Sequence, residues 1–522
     1  MFDEKHILDF FGGMELNVVR RTSNWFRGVG MQYENGEKGY FNYLTFKKYR
    51  EDNTDYYTLN NTISKNLAFF ANPNYSYKGR YNLSGTLRYE GSNRLGKSRS
   101  ARWLPTWNIS GAWNAHEENF FESFEKVLSH LKLRGSYSLT AEAGPAWVAN
   151  SKVIITSYSP WRPGASHGEP GLEISELENS ELTYEKKHEL DVGIDVGFLN
   201  NRINLVFDYY KRNMFDLIGY VTTQGVGGVI NKMANTADMK SHGVEFTLST
   251  KNIKTQDFTW STDFTFSYNR TYITSLKTQG NLLSLLKGEG YPREGFEHRS
   301  LFSIPFTGLD DEGFPTFTFS DGTKITKANY GDLDFQEREK LDFLKYEGPA
   351  EPPYTGGFGN IFSYKRWTLN IFMTYAFGNK IRLDPVFFDS YTDMDATPKD
   401  FINRWILPGD ENITTIPVIA SARQRRIYGN LQRGYNAYNY STERIAKGDF
   451  IRMKEISLTY DIPQEWIRSS ALKKLSLKLQ STNPFLVYSD SKLNGQDPEF
   501  FRSGGVAVPM AQQFTFTLRA GF

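Results

Sequence analysis

Hydrophobic and polar residues alternate along this chain with a period of two, the pattern of a strand whose two faces meet different surroundings. Residues 131–140 place Leu131, Leu133, Gly135, Tyr137 and Leu139 on one face and Lys132, Arg134, Ser136, Ser138 and Thr140 on the other. Residues 189–198 oppose Leu190, Val192, Ile194, Val196 and Phe198 to Glu189, Asp191, Gly193, Asp195 and Gly197. Residues 258–269 set Phe258, Trp260, Phe264, Phe266 and Tyr268 against Thr259, Ser261, Asp263, Thr265, Ser267 and Asn269. The pattern predicts fourteen strands, near 5–18, 64–77, 79–91, 101–114, 131–141, 183–198, 202–215, 240–252, 257–271, 354–365, 367–379, 448–461, 473–487 and 510–522.

Their length and their connections narrow the class. Strands of ten or more residues exceed the soluble norm and suit a tilted span across hydrocarbon. Short links at 78–79, 199–201, 253–256 and 365–366 alternate with long ones at 142–182, 216–239, 272–353 and 380–447. Short turns at one end and long loops at the other is the asymmetry of an outer-membrane barrel. Aromatic residues gather near strand ends, as with Trp107 and Trp113 or Trp260 and Tyr268, the way interfacial girdles are written. The last strand closes on Phe514, Phe516, Leu518, Ala520 and Phe522 along one face. We therefore expect an all-β chain, an antiparallel transmembrane β-barrel segment; a soluble or surface-attached β-rich protein that binds carbohydrate or acts in adhesion is the alternative.

Composition changes this picture little but excludes much. Mean hydropathy is −0.52 and no apolar run approaches the length of a membrane helix, yet a barrel strand shows lipid only every second residue. A net charge of +2 argues against a nucleic-acid partner held by a general positive field. The absence of cysteine removes disulfides, thiolate catalysis and cysteine-held zinc.

Motifs for chemistry are weak. Residues 91–98, from Gly91 to Ser98, fit the phosphate-binding G-x-x-x-x-G-K-[ST] pattern, but that mechanism needs a buried parallel strand before it and a helix after it. The flanks read as alternating strands, so a hairpin loop is expected instead. None of the seven histidines forms an H-x-x-x-H pair. The runs Asp310-Asp311-Glu312-Gly313 and Asp393 with Asp395 resemble calcium loops only in part, and turn chemistry is the better reading. No catalytic residue, metal or cofactor is expected, and a non-enzymatic role follows. The remaining binding candidates are loop aromatics: Trp147, Tyr158, Trp161, Tyr428, Tyr435, Tyr438 and Tyr440. Their rings suit stacking on sugars or holding apolar peptide side chains, against the plainer reading that they pack the loops together.

Several stretches together resemble the barrel of SusC/RagA-type TonB-dependent transporters of Bacteroidetes. They include residues 75–94, Leu104-Pro-Thr-Trp-Asn-Ile-Ser-Gly-Ala-Trp113, Leu131-Lys-Leu-Arg-Gly-Ser-Tyr137, and Leu182-Thr-Tyr-Glu185 with Gly193 and Asp195. Further along come Asp208-Tyr-Tyr-Lys211, His242-Gly-Val-Glu245, Gly356-Gly-Phe358, Arg404-Trp405 with Pro408-Gly-Asp410, Phe450-Ile-Arg-Met-Lys454, Thr482-Asn-Pro-Phe485 and Gly495-Gln-Asp-Pro-Glu499. The resemblance implies about fourteen strands of a 22-stranded TonB-dependent transporter barrel around a plug. It implies residence in the outer membrane of a Gram-negative bacterium, surrounded by its lipid, and import of an oligosaccharide or oligopeptide. The implied partners are a SusD-like surface lipoprotein and periplasmic TonB. With no plug, TonB box or signal peptide recognisable, residues 1–522 are expected to be the C-terminal portion of such a barrel.

Overall fold

The computed structural model describes residues 5–26, 57–144, 171–225, 231–319, 321–392, 397–468, 471–501 and 511–522, with a few short stretches besides (31–32, 38–39, 43–44, 47–48, 52, 154–158 and 394–395). Among the described residues fourteen strands form one sheet in sequence order, each hydrogen-bonded to its neighbours in the sheet. They are β1 (His6–Phe26), β2 (Tyr57–Tyr77), β3 (Tyr81–Ser92), β4 (Trp103–Asn114), β5 (Leu128–Glu142), β6 (Glu185–Phe198) and β7 (Ile203–Thr222). The second seven are β8 (Asn231–Lys254), β9 (Phe258–Leu276), β10 (Tyr354–Tyr364), β11 (Trp367–Phe377), β12 (Phe450–Asp461), β13 (Lys474–Ser489) and β14 (Gln513–Gly521). β1 and β2 pair antiparallel, for example, in a register running from His6 opposite Tyr77 to Phe26 opposite Tyr57. No helix among the described residues is long and apolar enough to cross a membrane, so any crossing is made by strands.

Every strand read from alternation is present, and the differences lie at the ends. β7 runs on to Thr222 and β8 starts at Asn231, so the long loop expected at 216–239 shrinks to 223–230. Two physical causes hid this. Asp216 sits at φ 60°, a left-handed break in the strand, with its N–H bonded to the Asp238 carboxylate at 3.1 Å. Beyond it the run from Asn231 to Met239 does not alternate, because both of its faces meet protein: Met233 and Thr236, on opposite faces, are both buried, so no single face is marked apolar.

The tight turns use left-handed backbone where the sequence supplies lysine and asparagine. Lys78 and Gly79 between β2 and β3, Leu199, Asn200 and Asn201 between β6 and β7, and Lys365 between β10 and β11 all have positive φ. Asparagine tolerates that region through local hydrogen bonding; Asn200 and Asn201 also direct their N–H groups to the Ser129 hydroxyl.

The chain divides into two compact units: residues 1–112, 135–190 and 212–238, and residues 113–134, 191–211 and 239–522. In the first, Trp107, Tyr137, His188 and Phe215 form a ladder of rings with centroids 5.4 to 5.7 Å apart. In the second, Trp260 lies against Phe362 and Trp367 against Tyr460 near the short turns. Rings placed near strand ends in this way suit the two membrane–water boundaries. Leu190, Val192, Phe207 and Tyr209 are exposed along the strand faces. A sheet with a large apolar surface of this kind is stable only where something apolar covers it.

Candidate functional site

The buried core belongs to the loops. The β9–β10 connection (277–353) and the β11–β12 connection (378–449) pack into one hydrophobic cluster around Phe302, Phe314, Phe317, Tyr330, Phe387, Tyr435 and Tyr438. A small sheet, Phe306–Leu309, Pro315–Thr318 and Lys324–Ile325, lies in the first connection; the helices Ala422–Ile427 and Leu431–Asn439 lie in the second. The Leu431–Asn439 helix comes close to the turn Tyr330–Asp332 that follows this sheet because residue 434 is glycine: a Cβ there would stand 2.2 Å from the Tyr330 ring. Ser421 and Gln424 form a reciprocal capping box at the start of the other helix.

Backbone and charge then stitch the two connections. Ile304 and Ser441 form a bridge, flanked by Ile304 N–H to Tyr440 O at 3.0 Å and Thr442 N–H to Ile304 O at 3.1 Å. The Arg382 guanidinium, buried at the base of the second connection, donates to Phe302 O and to Ser303 Oγ of the first. Burial pulls its pKa down from the usual 12.5 to about 10, against the pull of Glu347. Arg444 donates to Asp400 at 3.3 Å and to Asp384 O at 3.0 Å, and stacks on Phe387.

The acidic run at 310–312 shows what the calcium-like spacing does. Lys327 Nζ lies 3.2, 3.2 and 3.1 Å from Asp310, Asp311 and Glu312, over the Tyr428 and Phe314 rings, so an ammonium supplies the positive charge. Burial pulls the Lys327 pKa down, but bonds to Glu312 and the charge of Asp310 outweigh it, and the net shift is upward. Asp310 Oδ1 accepts the N–H groups of Glu312 and Phe314, a turn arrangement. Asp395 likewise accepts from Thr392 N–H at 2.7 Å, while Asp393 lies outside the described residues. Among the described residues no group of three or more metal-ligating side chains converges.

The phosphate-loop lookalike is also a structural connection. A four-residue helical turn, Arg99–Arg102, follows it where a strand was expected from residue 101, and Ser98 caps that turn. The strand before it is antiparallel, Lys97 pairs with Glu178 at 2.8 Å, and Gly96 presses on the Ser180 carbonyl. No cradle of amides is left for phosphate.

The seven loop aromatics separate sharply. Trp147 and Trp161 lie outside the described residues; Tyr158 ends a short strand, Ile154–Tyr158, opposite Gly171. Tyr435 and Tyr438 are 0% and 1% exposed. Tyr435 donates to Val418 O and Tyr438 packs edge-on against Phe306 and Phe387, so these two rings hold the loops together and present no face to a ligand. Tyr428 donates to Glu312 at 2.9 Å and keeps part of its surface, as does Tyr440 beneath Arg382. Lys327, Arg382 and Arg444 carry no spacing signal that sequence reasoning could have used.

The strands supply a polar network. Arg134 spans Asp195 at 3.2 Å and Asp208 at 2.7 Å, and Gly193 leaves the room: a Cβ there would meet the Arg134 guanidinium at 2.6 Å. Tyr210 lies over Gly243 in the same manner. Arg452 pairs with Asp497 and with Glu499, both from the 495–499 stretch. Asp410 accepts from Ile406 and Leu407 N–H, and Glu411 from the Trp405 indole, folding 404–411 into a rigid turn.

Comparison with known proteins fits this architecture. The chain is 27% identical over 444 residues to TonB-dependent receptor P3 of Formosa agariphila, covering 83% of this chain and 42% of that protein. It is 26% identical over 519 residues to TonB-dependent receptor SusC of Bacteroides thetaiotaomicron, covering 90% and 44%. Among solved structures, the RagAB peptide transporter superposes with a TM-score of 0.76 at 21% identity, over 100% of this chain and 54% of that one. The chain therefore spans less than half the length of these curated relatives. Residues 7–407 match the family model described as TonB dependent receptor-like, beta-barrel. With fourteen meandering strands, apolar strand surfaces and girdles near the strand ends, this chain belongs to the TonB-dependent receptor-like β-barrel family, whose members reside in the outer membrane of Gram-negative bacteria.

Proposed function

We propose that this chain contributes barrel wall and extracellular loops to an importer of oligosaccharides or oligopeptides. Such an importer works with a SusD-like surface lipoprotein and draws its energy through TonB. The observation that carries this reading is the asymmetry of the connections. Two long ones, 277–353 and 378–449, build a packed layer, while the opposite strand ends are joined by links as short as Lys365–Arg366. A rigid loop layer on a membrane wall can hold a partially ordered ligand and a lid; short turns at the other end leave access to the periplasmic machinery. Tyr428 and Tyr440 are the loop aromatics proposed to meet ligand, since both are half-buried where Tyr435 and Tyr438 are closed off. SusC of Bacteroides thetaiotaomicron and the RagAB peptide transporter support the SusC/RagA type of system.

The test is uptake of labelled oligosaccharide and oligopeptide pools by cells carrying the gene, with and without deletion of residues 378–449. The expected result is uptake of one pool that is lost on deletion and on collapse of the proton gradient. Recovery of the chain in the soluble fraction, or uptake indifferent to both treatments, overturns the proposal.

A further inference from the structure

A pocket of about 250 Å³ opens where the end of β9 meets the first long connection. Its floor is aliphatic, made by Leu276, Leu285 and Leu341 with Pro292. Charges of both signs rim it. Arg338 and Glu339 come from a turn whose shape is fixed by the Glu337 carboxylate, which accepts the N–H groups of Arg338, Glu339 and Lys340. That turn is anchored in turn, since Leu282 and Leu283 donate to Glu337 O and Phe335 O. Arg293, also in the lining, is already engaged, stacked on Phe296 and Phe302 and 3.6 Å from Asp342, while Glu294 accepts the Leu276 N–H.

Two features decide the ligand class. Among the described residues no aromatic ring lines the pocket, so these residues offer no flat platform for a pyranose face. Its size is below that of a pocket for a whole drug-sized molecule and suits one end of a longer ligand. An aliphatic floor beside an exposed guanidinium matches an apolar side chain next to a carboxylate, which Arg recognises with its planar fork.

We infer that this pocket binds the carboxy-terminal residue of an oligopeptide, its aliphatic side chain on the leucine floor and its carboxylate on the Arg338 guanidinium. Glu339, beside it, faces the donor side of the peptide backbone. The inference rests on the import reading for its biological meaning and narrows it to peptides.

The test is calorimetric titration of the detergent-purified full chain with the tripeptide Ala-Ala-Leu, the same peptide carrying a C-terminal amide, and maltotriose. The free-acid tripeptide is expected to bind. Amidation and Arg338→Gln are each expected to weaken it about tenfold, without lowering the thermal midpoint of this exposed-site variant. Maltotriose is expected not to bind. Tripeptide affinity unmoved by both changes, binding of maltotriose alone, or no binding of any probe overturns the inference. Each of these outcomes is separate from the import reading, which stands or falls on gradient-dependent uptake.

Discussion

The strand wall and the loop layer are held together by different physics. In the loop layer, side chains such as Phe302, Phe317 and Tyr435 are closed off from solvent within one packed cluster, as in a water-soluble domain. Along the wall, Leu190, Val192 and Phe207 are exposed apolar residues on strands whose backbone groups are paired in a ladder. The loop layer carries its own apolar core; the wall needs hydrocarbon to cover its apolar face. One chain thus contains a region that water stabilises and a region that lipid stabilises, and substitutions separate them.

The largest effect is expected in the loop core. Phe317→Ala removes a fully buried ring and is expected to cost about 3–5 kcal/mol. It should appear as protease cleavage within 277–353 at lower temperature, with the strand wall's resistance to heat in detergent unchanged. Leu190→Arg comes next, at about 2–4 kcal/mol in a bilayer. A water-exposed leucine would tolerate that change, so reversible unfolding in lipid vesicles that shows no loss would break the contrast.

Arg134→Met is a smaller probe of the polar strand face. It removes the ion between Asp195 and Asp208, side chains that keep part of their exposure, so a loss of about 1 kcal/mol is expected in the same assay. The smallest effect concerns pH. Burial raises the Glu312 pKa, but bonds from Tyr428, Lys327 and Gln424 outweigh it, and the net shift is downward. A carboxylate with a depressed pKa stabilises the fold fully above its ordinary value and loses that contribution as pH falls through the lowered one. The Lys327 clamp should therefore persist at neutral pH and loosen in acid, below the usual glutamate range. Its contribution is below about 1 kcal/mol because Glu312 is half-exposed. Glu312→Gln should abolish that acid dependence in thermal melts of the loop layer.

How far the sequence revealed this fold depends on which solvent a residue meets. Between lipid and a polar interior, alternation has to persist, so strands such as Leu128–Glu142 and Phe258–Leu276 stood out from residues 131–140 and 258–269. Above the break at Asp216 β7 and β8 are mostly half-buried on both faces, with Met233 and Thr236 buried on opposite sides, and the signal vanished although the strands continued. In the loops nothing periodic announces that Tyr435 would be buried while Tyr428 stays half-buried, because short irregular elements bury residues by tertiary contact alone. The isolated motif pieces were legible as resemblance but not as chemistry. Only the structure shows Arg134 over Gly193, Tyr210 over Gly243 and Arg452 on Asp497, pairs drawn from segments far apart in sequence.

The proposed function places the long connections on the outside of the cell and the short turns in the periplasm. The absence of native cysteine makes this directly measurable with single substitutions. Ile413→Cys sits at an exposed point of the second long connection and Asn200→Cys in the turn between β6 and β7. A membrane-impermeant maleimide applied to intact cells is predicted to label the first and to reach the second only after the outer membrane is permeabilised. Labelling of Asn200→Cys in intact cells, or protection of Ile413→Cys there, would contradict the orientation and with it the reading of the loop layer as the ligand-facing side.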